Sequence, residues 1–410
     1  MESKTDKYVL ANGMVVLGEA MEGVESVAFD FLLPAGAATM PEGACGAANI
    51  ISDWVFRGAG ARDNRTLGDA LDGLGLHRSD SIGSSHLLIG AALESSNLGE
   101  ALDLHADVIL RPHLTDDEFE PARQLALEGV WALDDEPRQK VMLELRQRFY
   151  PSPLGRNTNG DAEELERATA ATVRKLVETR FDISRTIFAV AGKYDFAAVC
   201  DQLEQAFGAS QGTPVEPLAI TPPVGKYTHI HNDGAQVHIG LMTETVEFAH
   251  ADYYNMRVAT SVLSGGMSAR LFTEVREKRG LCYAIGARYH SLKDAAGIMC
   301  YAGTAPEKAQ QTLDVIVAEF RRLGEGISPE ELERAKIGLK SSVIMQSESS
   351  SSRAGGIGGD YYMLGRVRSL DEIKAGIEAT TVDSVLACLE RHPFKEFTVV
   401  TIGPTEVRAE

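Results

Sequence analysis

Residues 114–130, LTDDEFEPARQLALEGV, and residues 327–343, ISPEELERAKIGLKSSV, share a helix-start pattern in the two halves of this 410-residue chain. In each stretch an apolar residue precedes a hydroxyl residue, and a Glu follows three positions later. This is the capping box, in which each side chain bonds the other residue's backbone N–H. The pairs are Thr115 with Glu118 and Ser328 with Glu331. Because both patterns follow a similar helical segment, they indicate a duplicated unit.

The order of the other elements supports duplication. In the first half, strand-like segments precede a helix-like stretch at 46–57, then a further strand and a long helix around 97–110. In the second half, a strand precedes helices at 251–264 and 268–279, followed by two strands and another helix. The strands are joined by short turns, which favour antiparallel pairing. We therefore predict an α+β protein with two similar domains, each an antiparallel sheet packed with helices. Two unrelated α+β domains are the alternative.

A proline-containing stretch divides the two halves. Residues 209–227, ASQGTPVEPLAITPPVGKY, contain four prolines and interrupt the helical periodicity on both sides. The sequence thus predicts an N-terminal domain at 1–210, a linker at 211–227 and a C-terminal domain at 228–410.

The composition excludes several classes of partner. Fifty-nine acidic and forty basic residues give a net charge of -19, which repels nucleic acid and anionic lipid. No signal-peptide pattern is present, and no apolar run approaches the roughly 20 residues that span a bilayer. The five cysteines are far apart without a C-x-x-C pair, which favours a reducing compartment. We expect a cytoplasmic protein with neither a nucleic-acid nor a membrane partner.

Two further patterns predict neither a metal nor a phosphate site. The ten histidines are spread thinly, and no carboxylate completes a ligand set around His229 and His231, which alternate as on a strand. The Ser/Gly-rich residues 347–366, SESSSSRAGGIGGDYYMLGR, lack the phosphate-loop pattern and a preceding strand. A flexible loop or a loosened helix near a cavity fits this composition better.

One helix-like stretch has an unusual polar face. In GAANIISDWVFRGAG, residues 46–60, the polar residues Asn49, Ser52 and Asp53 follow the i, i+3, i+4 spacing that places side chains on one face of a helix. Metal sites and acid/base pairs are often built with this spacing. Asn and Ser, however, are poor zinc ligands and poor bases, so the residues alone favour a solvated or interface-facing helix side.

Four stretches carry a resemblance to a known family, and the third is the most specific. They are YVLANGMVV at 8–16, GAANIISDWVFRGAG at 46–60, LSGGMSARLFTEVREKRGLCYAIGARY at 263–289 and GIMCYAGTAPEKAQQTL at 297–313. With the order of elements, they resemble the M16 family of zinc peptidases, the insulinase and mitochondrial processing peptidase group, over nearly the whole chain. An active member carries H-x-x-E-H, in which two His bind zinc and the Glu activates a metal-bound water.

The resemblance implies that this chain has lost that zinc site. Aligned on the frame VFRG at 55–58, the first His becomes Asn49, the Glu becomes Ser52 and the second His becomes Asp53. The family's third ligand, a Glu on a later helix, becomes Gly129. Three ligands and the base are absent together, so we expect these four positions to bind no metal, and this chain to bind no cofactor.

A second motif is kept. Arg276 and Tyr283 resemble the Arg and Tyr with which the family hydrogen-bonds the substrate backbone and the oxyanion of the tetrahedral intermediate. The residues themselves predict a helix that Ser268 can cap and that Gly280 can end in a left-handed conformation. Arg276 then lies in the last turn and Tyr283 early in the next strand, so both can point to one side of the junction.

The resemblance implies the non-zinc-binding subunit of a heterodimeric M16-type metallopeptidase. A homologous subunit with intact H-x-x-E-H would supply zinc and water, and this chain would supply Arg276 and Tyr283 to a peptide substrate, with no activity alone. A catalytically silent scaffold subunit of a larger complex is the alternative. A metal-independent Ser or Cys hydrolase is a third class, for which the sequence shows no G-x-S-x-G elbow and no Cys/His set.

Overall fold

The computed structural model describes residues 5–212, 218–223 and 225–408. The strands are β1 (Thr5–Val9), β2 (Val15–Ala20), β3 (Ser26–Leu33), β4 (Gly58–Ala59), β5 (Arg62–Asp63), β6 (His77–Ile82), β7 (Leu87–Glu94), β8 (Ile187–Gly192), β9 (Tyr227–His231), β10 (Val237–Glu244), β11 (Cys282–Leu292), β12 (Ala295–Thr304) and β13 (Thr398–Gly403). The α-helices are α1 (Ala47–Trp54), α2 (Asn64–Gly73), α3 (Leu98–Leu110), α4 (Asp116–Trp131), α5 (Pro137–Phe149), α6 (Ala162–Arg167), α7 (Ala170–Arg180), α8 (Phe196–Phe207), α9 (Tyr253–Ser264), α10 (Ala309–Arg322), α11 (Pro329–Ser347), α12 (Ser350–Leu364), α13 (Leu370–Glu378) and α14 (Val382–Arg391). Residues 213–217 and 224 of the predicted linker lie outside the described residues.

The first of two compact units is built on a six-stranded sheet with the order β1-β2-β8-β3-β7-β6. Successive side chains of a strand point to opposite faces. In β3, Phe29 and Phe31 therefore point into the main core, where they share a cluster with Trp54 of α1. The intervening Ala28 and Leu32 point to the other face, which α12 covers. The sheet is thus buried on both sides.

Helix α12 is the Ser/Gly-rich segment, for which a loop was one of the two expectations. Its first turn is capped by the Ser349 side chain, and it ends at Gly365, whose φ of 70° is left-handed. At Gly358 an added Cβ would lie 3.2 Å from Leu32, so glycine lets the helix approach the sheet closely. The loop alternative was wrong because this segment has a face small enough to pack on a sheet.

A buried ion pair fixes α12 on β2. Arg353 Nε donates to Glu19 Oε1 at 2.8 Å, and the two side chains are only 8% and 4% exposed. Removing either partner would leave a buried charge without compensation, which is strongly destabilising. The pair therefore sets the position of α12 along the strand.

The second unit repeats this plan on a five-stranded sheet with the order β11-β12-β10-β13-β9. Helices α9, α10, α11 and α14 bury one face. On the other face, Val141 and Leu145 of α5 pack with Met242 and Val400 of the strands. Each sheet is therefore covered by several helices on one side and by a single helix on the other.

The predicted fold class is confirmed, with one addition to its antiparallel sheets. Most neighbouring strands are antiparallel, but β2 runs parallel to β8 and β9 runs parallel to β13. These partners lie far apart in the chain and are linked through helices, so no hairpin turn dictates their direction. Short turns determined only the pairs that are adjacent in sequence.

Of the two predicted capping boxes, one is confirmed and one was wrong. Ser328 N–H donates to Glu331 Oε2 at 2.9 Å, and Glu331 N–H donates to Ser328 Oγ at 3.2 Å. Thr115 precedes α4 without a side-chain cap. The Glu118 carboxylate instead accepts from Arg57 at 3.1 Å. In the first unit, the ion pair between Glu118 and Arg57 thus replaces the hydrogen bonds of the predicted capping box.

The units do not follow the predicted domain boundaries at two segments. Residues 133–155, which carry α5, group with the second unit, and residues 346–369, which carry α12, group with the first. Each of these helices covers the otherwise bare face of a sheet. The predicted domains, 1–210 and 228–410, are contiguous and therefore assigned each helix to the other unit. Among the residues described, no helix is both long and apolar enough to cross a membrane.

Candidate functional site

Helix α1 presents one polar face because its apolar residues are buried in the core. Ile50 and Trp54 are fully buried. The predicted spacing therefore leaves Asn49, Ser52 and Asp53 together on the opposite, half-buried side. Their grouping on one face was correctly expected from the sequence.

The charge of Asp53 is compensated within the protein. Arg57, one turn later, donates to the Asp53 carboxylate through Nε and to Glu118 Oε2 through Nη1. Hydrogen bonds from Asn64 and then from Arg57 hold the pKa of Glu118 below its ordinary value. The guanidinium thus lies between two carboxylates and occupies the acidic part of the face.

Two other positions of the predicted remnant, Asn49 and Gly129, make hydrogen bonds that involve backbone carbonyls. Asn49 Nδ2 donates to the Thr158 carbonyl at 2.6 Å. Gly129 has no side chain, and its carbonyl accepts from Asn159 Nδ2 at 3.3 Å. Together with Ser52 and Asp53, Asn49 and Gly129 line one pocket of about 270 Å³. The fold therefore brings all four positions together.

The donor set at the four motif positions does not fit zinc. Zinc sites take three or four ligands from Cys, His and carboxylates. Of the four motif positions only Asp53 offers such a group, and Arg57 already binds its carboxylate. The Asn49 amide donates to a carbonyl, and a serine hydroxyl such as Ser52 cannot act as a base at neutral pH. Asn49 and Asp53 therefore bind groups of the protein itself, and neither Ser52 nor Gly129 offers a zinc ligand.

Two charged residues of this pocket were missed in the sequence. Arg78 and Asp80, from the edge strand β6, form an ion pair at its rim, and the Arg78 guanidinium lies 3.6 Å from the ring centre of Phe56. Burial raises the pKa of Asp80. No local pattern connects this strand to α1, so only tertiary packing reveals the contact.

The second candidate region is the junction between the π-helix Phe272–Glu277 and β11. The helix is shorter than the predicted 268–279 and begins after Ser268. Val275 is fully buried and anchors it. Gly280, with a φ of 57°, ends it as predicted, and its N–H donates to the Arg276 carbonyl at 3.0 Å. Helical turns of this π type are frequent at functional sites.

Arg276 and Tyr283 are both exposed at this junction. The Arg276 guanidinium lies 4.8 Å from the ring centre of Phe272, and no acidic side chain of the described residues forms an ion pair with it. Tyr283 is 66% exposed and occupies a β-bulge, where the register against β12 shifts between Cys282 and Ala284. Bulges redirect side chains and are common beside active sites.

The thiols provide no activated nucleophile. All five cysteines are free, and burial raises the pKa of each thiol above its ordinary value. For Cys282, the nearest to the junction, the Arg276 guanidinium offsets only part of this rise. Because the thiolate is the reactive form, a cysteine hydrolase is disfavoured.

A cluster of ligand-type side chains in the second unit was also missed. His250, Asp252 and His392 place one potential ligand atom each within 4.8 Å of one another. Asp252 precedes α9 and His392 follows α14, so the sequence separates them widely. The H-x-D spacing of His250 and Asp252 is the only local signal.

Comparison with known proteins identifies the family. The model of the insulinase family, peptidase M16, matches residues 15–162, and the model of the peptidase M16 inactive domain matches residues 167–339. An uncharacterized zinc protease of Mycobacterium tuberculosis H37Rv is 27% identical over 409 residues, which is 97% of this chain and 93% of the relative. The uncharacterized zinc protease YmxG of Bacillus subtilis is 24% identical over 405 residues, 97% of this chain and 98% of the relative.

Solved structures share the fold. A peptidase M16 inactive domain from Pseudomonas fluorescens superposes with a TM-score of 0.89 at 22% identity and covers 99% of this chain and 100% of that one. A protease from Helicobacter pylori gives a TM-score of 0.87 at 21% identity, covering 98% and 99%. The similarity thus extends over both units.

Proposed function

The chain belongs to the M16 family of zinc peptidases, and on that premise we propose that it is the subunit without catalytic zinc in a two-chain peptidase. One contrast supports this proposal. On α1, Asp53 is paired with Arg57 and Asn49 donates to a backbone carbonyl. Arg276 and Tyr283, by contrast, are exposed. A chain that kept only the second set would need its zinc from a homologous subunit with intact H-x-x-E-H.

In this proposal, the two exposed residues act on a peptide held at the partner's zinc site. The H-x-x-E-H residues of that partner would hold the zinc, which would supply an activated water and polarise the scissile carbonyl. The Arg276 guanidinium and the Tyr283 hydroxyl are hydrogen-bond donors, which suits them to the substrate backbone and to the oxyanion that develops on attack. Their exposure leaves them accessible to a substrate that another chain binds.

The substrate class we propose is extended peptides. Backbone hydrogen bonds to an open sheet edge bind such peptides largely independently of their sequence. The net charge of -19 makes basic peptides the better-matched class. Five free cysteines suit a reducing environment, so we place the enzyme in the cytoplasm.

Reconstitution tests the pairing. The purified chain is mixed with a similar-length M16 subunit that carries H-x-x-E-H, and cleavage of an internally quenched peptide is followed. We expect no cleavage by this chain alone and cleavage by the mixture. Metal-dependent cleavage by this chain alone would overturn the proposal.

A tyrosine variant separates a catalytic subunit from a scaffold. In the mixture, Tyr283→Phe should lower kcat while leaving assembly, measured by sedimentation, unchanged. Tyr289→Phe on the same strand is the control, because that hydroxyl donates to the Val246 carbonyl at 2.9 Å and has a structural role. A wild-type rate from Tyr283→Phe would favour the silent scaffold.

A further inference from the structure

A second group of metal-ligand side chains lies between the start of α9 and the end of α14, far along the chain from the zinc-motif remnant. Asp252 Oδ2 lies 3.4 Å from His392 Nε2 and 4.0 Å from His250 Nδ1. The two imidazole rings have centres 5.2 Å apart and are nearly perpendicular. Two imidazoles and one carboxylate form the ligand set of many catalytic and structural zinc ions.

The distances are close to those of a bound ion. Ligand atoms about 2.0–2.2 Å from a tetrahedral zinc lie about 3.3 Å from one another. The Asp252–His392 distance of 3.4 Å already meets this value. The Asp252–His250 distance of 4.0 Å is longer than this value. The His250 side chain is 43% exposed, so it can move closer. The three ligand atoms lie within 4.8 Å of one another, so a movement of the exposed His250 side chain would bring them around an ion.

The carboxylate is oriented by its own neighbours. Asn255 Nδ2 donates to Asp252 Oδ1 at 3.2 Å, and Ser384 Oγ donates to Asn255 Oδ1 at 2.8 Å. These hydrogen bonds hold Oδ1, and Oδ2, which also accepts from Arg391, is the oxygen that lies beside the histidines. Outer-sphere partners of this kind fix metal ligands and strengthen metal binding.

The Asp252 carboxylate is already paired with a cationic side chain of the protein, Arg391. Arg391 Nη2 contacts Oδ1 and Oδ2 of Asp252 at 2.8 and 2.9 Å. Burial alone would raise the pKa of Asp252, but hydrogen bonds from Arg391 and Asn255 outweigh it and lower this pKa. The Arg391 side chain is 54% exposed, so it can turn into solvent when another cation binds Asp252.

We propose that His250, Asp252 and His392 form a binding site for a zinc-like divalent transition-metal ion, in which the metal displaces Arg391 from the Asp252 carboxylate. Imidazole and carboxylate ligands together suit Zn²⁺ and Co²⁺ better than Mg²⁺ or Ca²⁺. At present His250 Nδ1 accepts a hydrogen bond from the Asp252 N–H at 3.0 Å. This bond is lost when the metal binds Nδ1, and also when it binds Nε2, because Nδ1 then carries the ring proton. The ion would join α9 to α14 within the second unit and serve a structural purpose.

Cobalt binding to the full-length chain, stripped of metal, tests the site. Co²⁺ should give visible absorption bands of a four-coordinate ion, saturate at one equivalent and be displaced by Zn²⁺. His250→Ala and His392→Ala should each weaken binding at least about tenfold, a loss that even an outer-sphere partner can cause. Arg391→Ala should strengthen binding severalfold, because it removes the competing cation.

Two controls make the result decisive. His231→Ala removes another exposed histidine, which pairs with Asp233 at 3.0 Å across the same H-x-D spacing, and should leave cobalt binding unchanged. Asp53→Asn removes the one carboxylate on the polar face of α1 and should also leave it unchanged. Absence of saturable absorption, or equal binding by wild type, His250→Ala and His392→Ala, would overturn the proposal.

The outcome is independent of the proposed peptidase role. Cobalt binding is measured on the lone chain without peptide, so a failed reconstitution would leave it unaffected. A failed cobalt titration would equally leave the reconstitution result standing. If the site binds metal, the expectation that this chain holds no metal applies only to the remnant on α1.

Discussion

The polar face of α1 and the junction before β11 are both helix surfaces with charged side chains, but they differ in what those side chains contact. On α1, Asp53 is bound by Arg57, and Asn49 donates to the Thr158 carbonyl. At the junction, the Arg276 guanidinium lies over the Phe272 ring, and Tyr283 is 66% exposed. Asn49 and Asp53 are thus bound within the fold, whereas Arg276 and Tyr283 are exposed.

A family motif can therefore be judged in two ways. Under the proposed alignment, the residue types indicate which zinc ligands are missing, and the contacts indicate whether the replacing residues have another role. Partnered polar groups stabilise a structure, whereas exposed donors without an ion-pair partner cost little stability to keep. Four predictions test this contrast between the two regions.

The largest effect is expected at the junction. In the reconstituted enzyme, Arg276→Ala should lower kcat by about 10²–10³, the cost of removing one oxyanion donor. Arg279→Ala is the matched control, because Arg279 lies three residues on and pairs with Glu274 at 2.7 Å. Steady-state kinetics on both variants measures the difference. Equal losses would point to the charge or stability of the helix rather than to a donor.

Rebuilding the motif tests whether ligands alone are missing. A variant with Asn49→His, Ser52→Glu, Asp53→His and Gly129→Glu should bind zinc at least about 10² times more tightly than wild type at this pocket, since outer-sphere partners alone contribute about 10–100-fold. The pocket has space, because an added Cβ at Gly129 meets nothing within 4 Å. Chelator competition measures the affinity. Unchanged affinity would show that the surrounding pocket has also diverged.

The junction should respond to acid through Glu274. Hydrogen bonds from Lys278 and then Arg279 lower the pKa of Glu274 from 4.5 to about 2. A folded-state pKa below the unfolded one stabilises the fold above pH 4.5, and this contribution is lost as the pH falls towards about 2. Urea unfolding at several pH values measures the effect. The free energy of unfolding of Glu274→Gln should fall less steeply than that of wild type as the pH decreases over this range. Glu277→Gln, an exposed neighbour, is the control, and identical slopes for Glu274→Gln and wild type would contradict the prediction.

The smallest effect is expected on α1. Ser52 is half-buried and makes no side-chain hydrogen bond within the described ranges. Ser52→Ala should therefore change the free energy of unfolding by no more than about 0.5 kcal/mol and leave the kcat of the mixed enzyme unchanged. A large loss of kcat would assign this face a catalytic role and remove the contrast between the two regions.

Prediction from sequence succeeded where the signal is local. The i, i+3, i+4 spacing placed Asn49, Ser52 and Asp53 on one face, and Gly280 ended its helix in the left-handed conformation. The capping box at Ser328 also formed. The capping box predicted at Thr115 did not form, because the Glu118 carboxylate accepts from Arg57, which follows the end of α1. A local pattern holds only when no tertiary contact competes for its groups.

By itself, the amino-acid sequence predicted the α+β class and the duplicated plan, which depend on periodicity and short spacings. The missing zinc ligands and the roles of Arg276 and Tyr283 were implied by the resemblance to the M16 family. Only the tertiary structure decided that α5 and α12 cover sheets in the exchanged units, that Arg57 compensates Asp53, and that His392 lies beside Asp252. Such contacts join residues that are far apart in the chain or held by competing partners, and their energies depend on packing that no local pattern encodes.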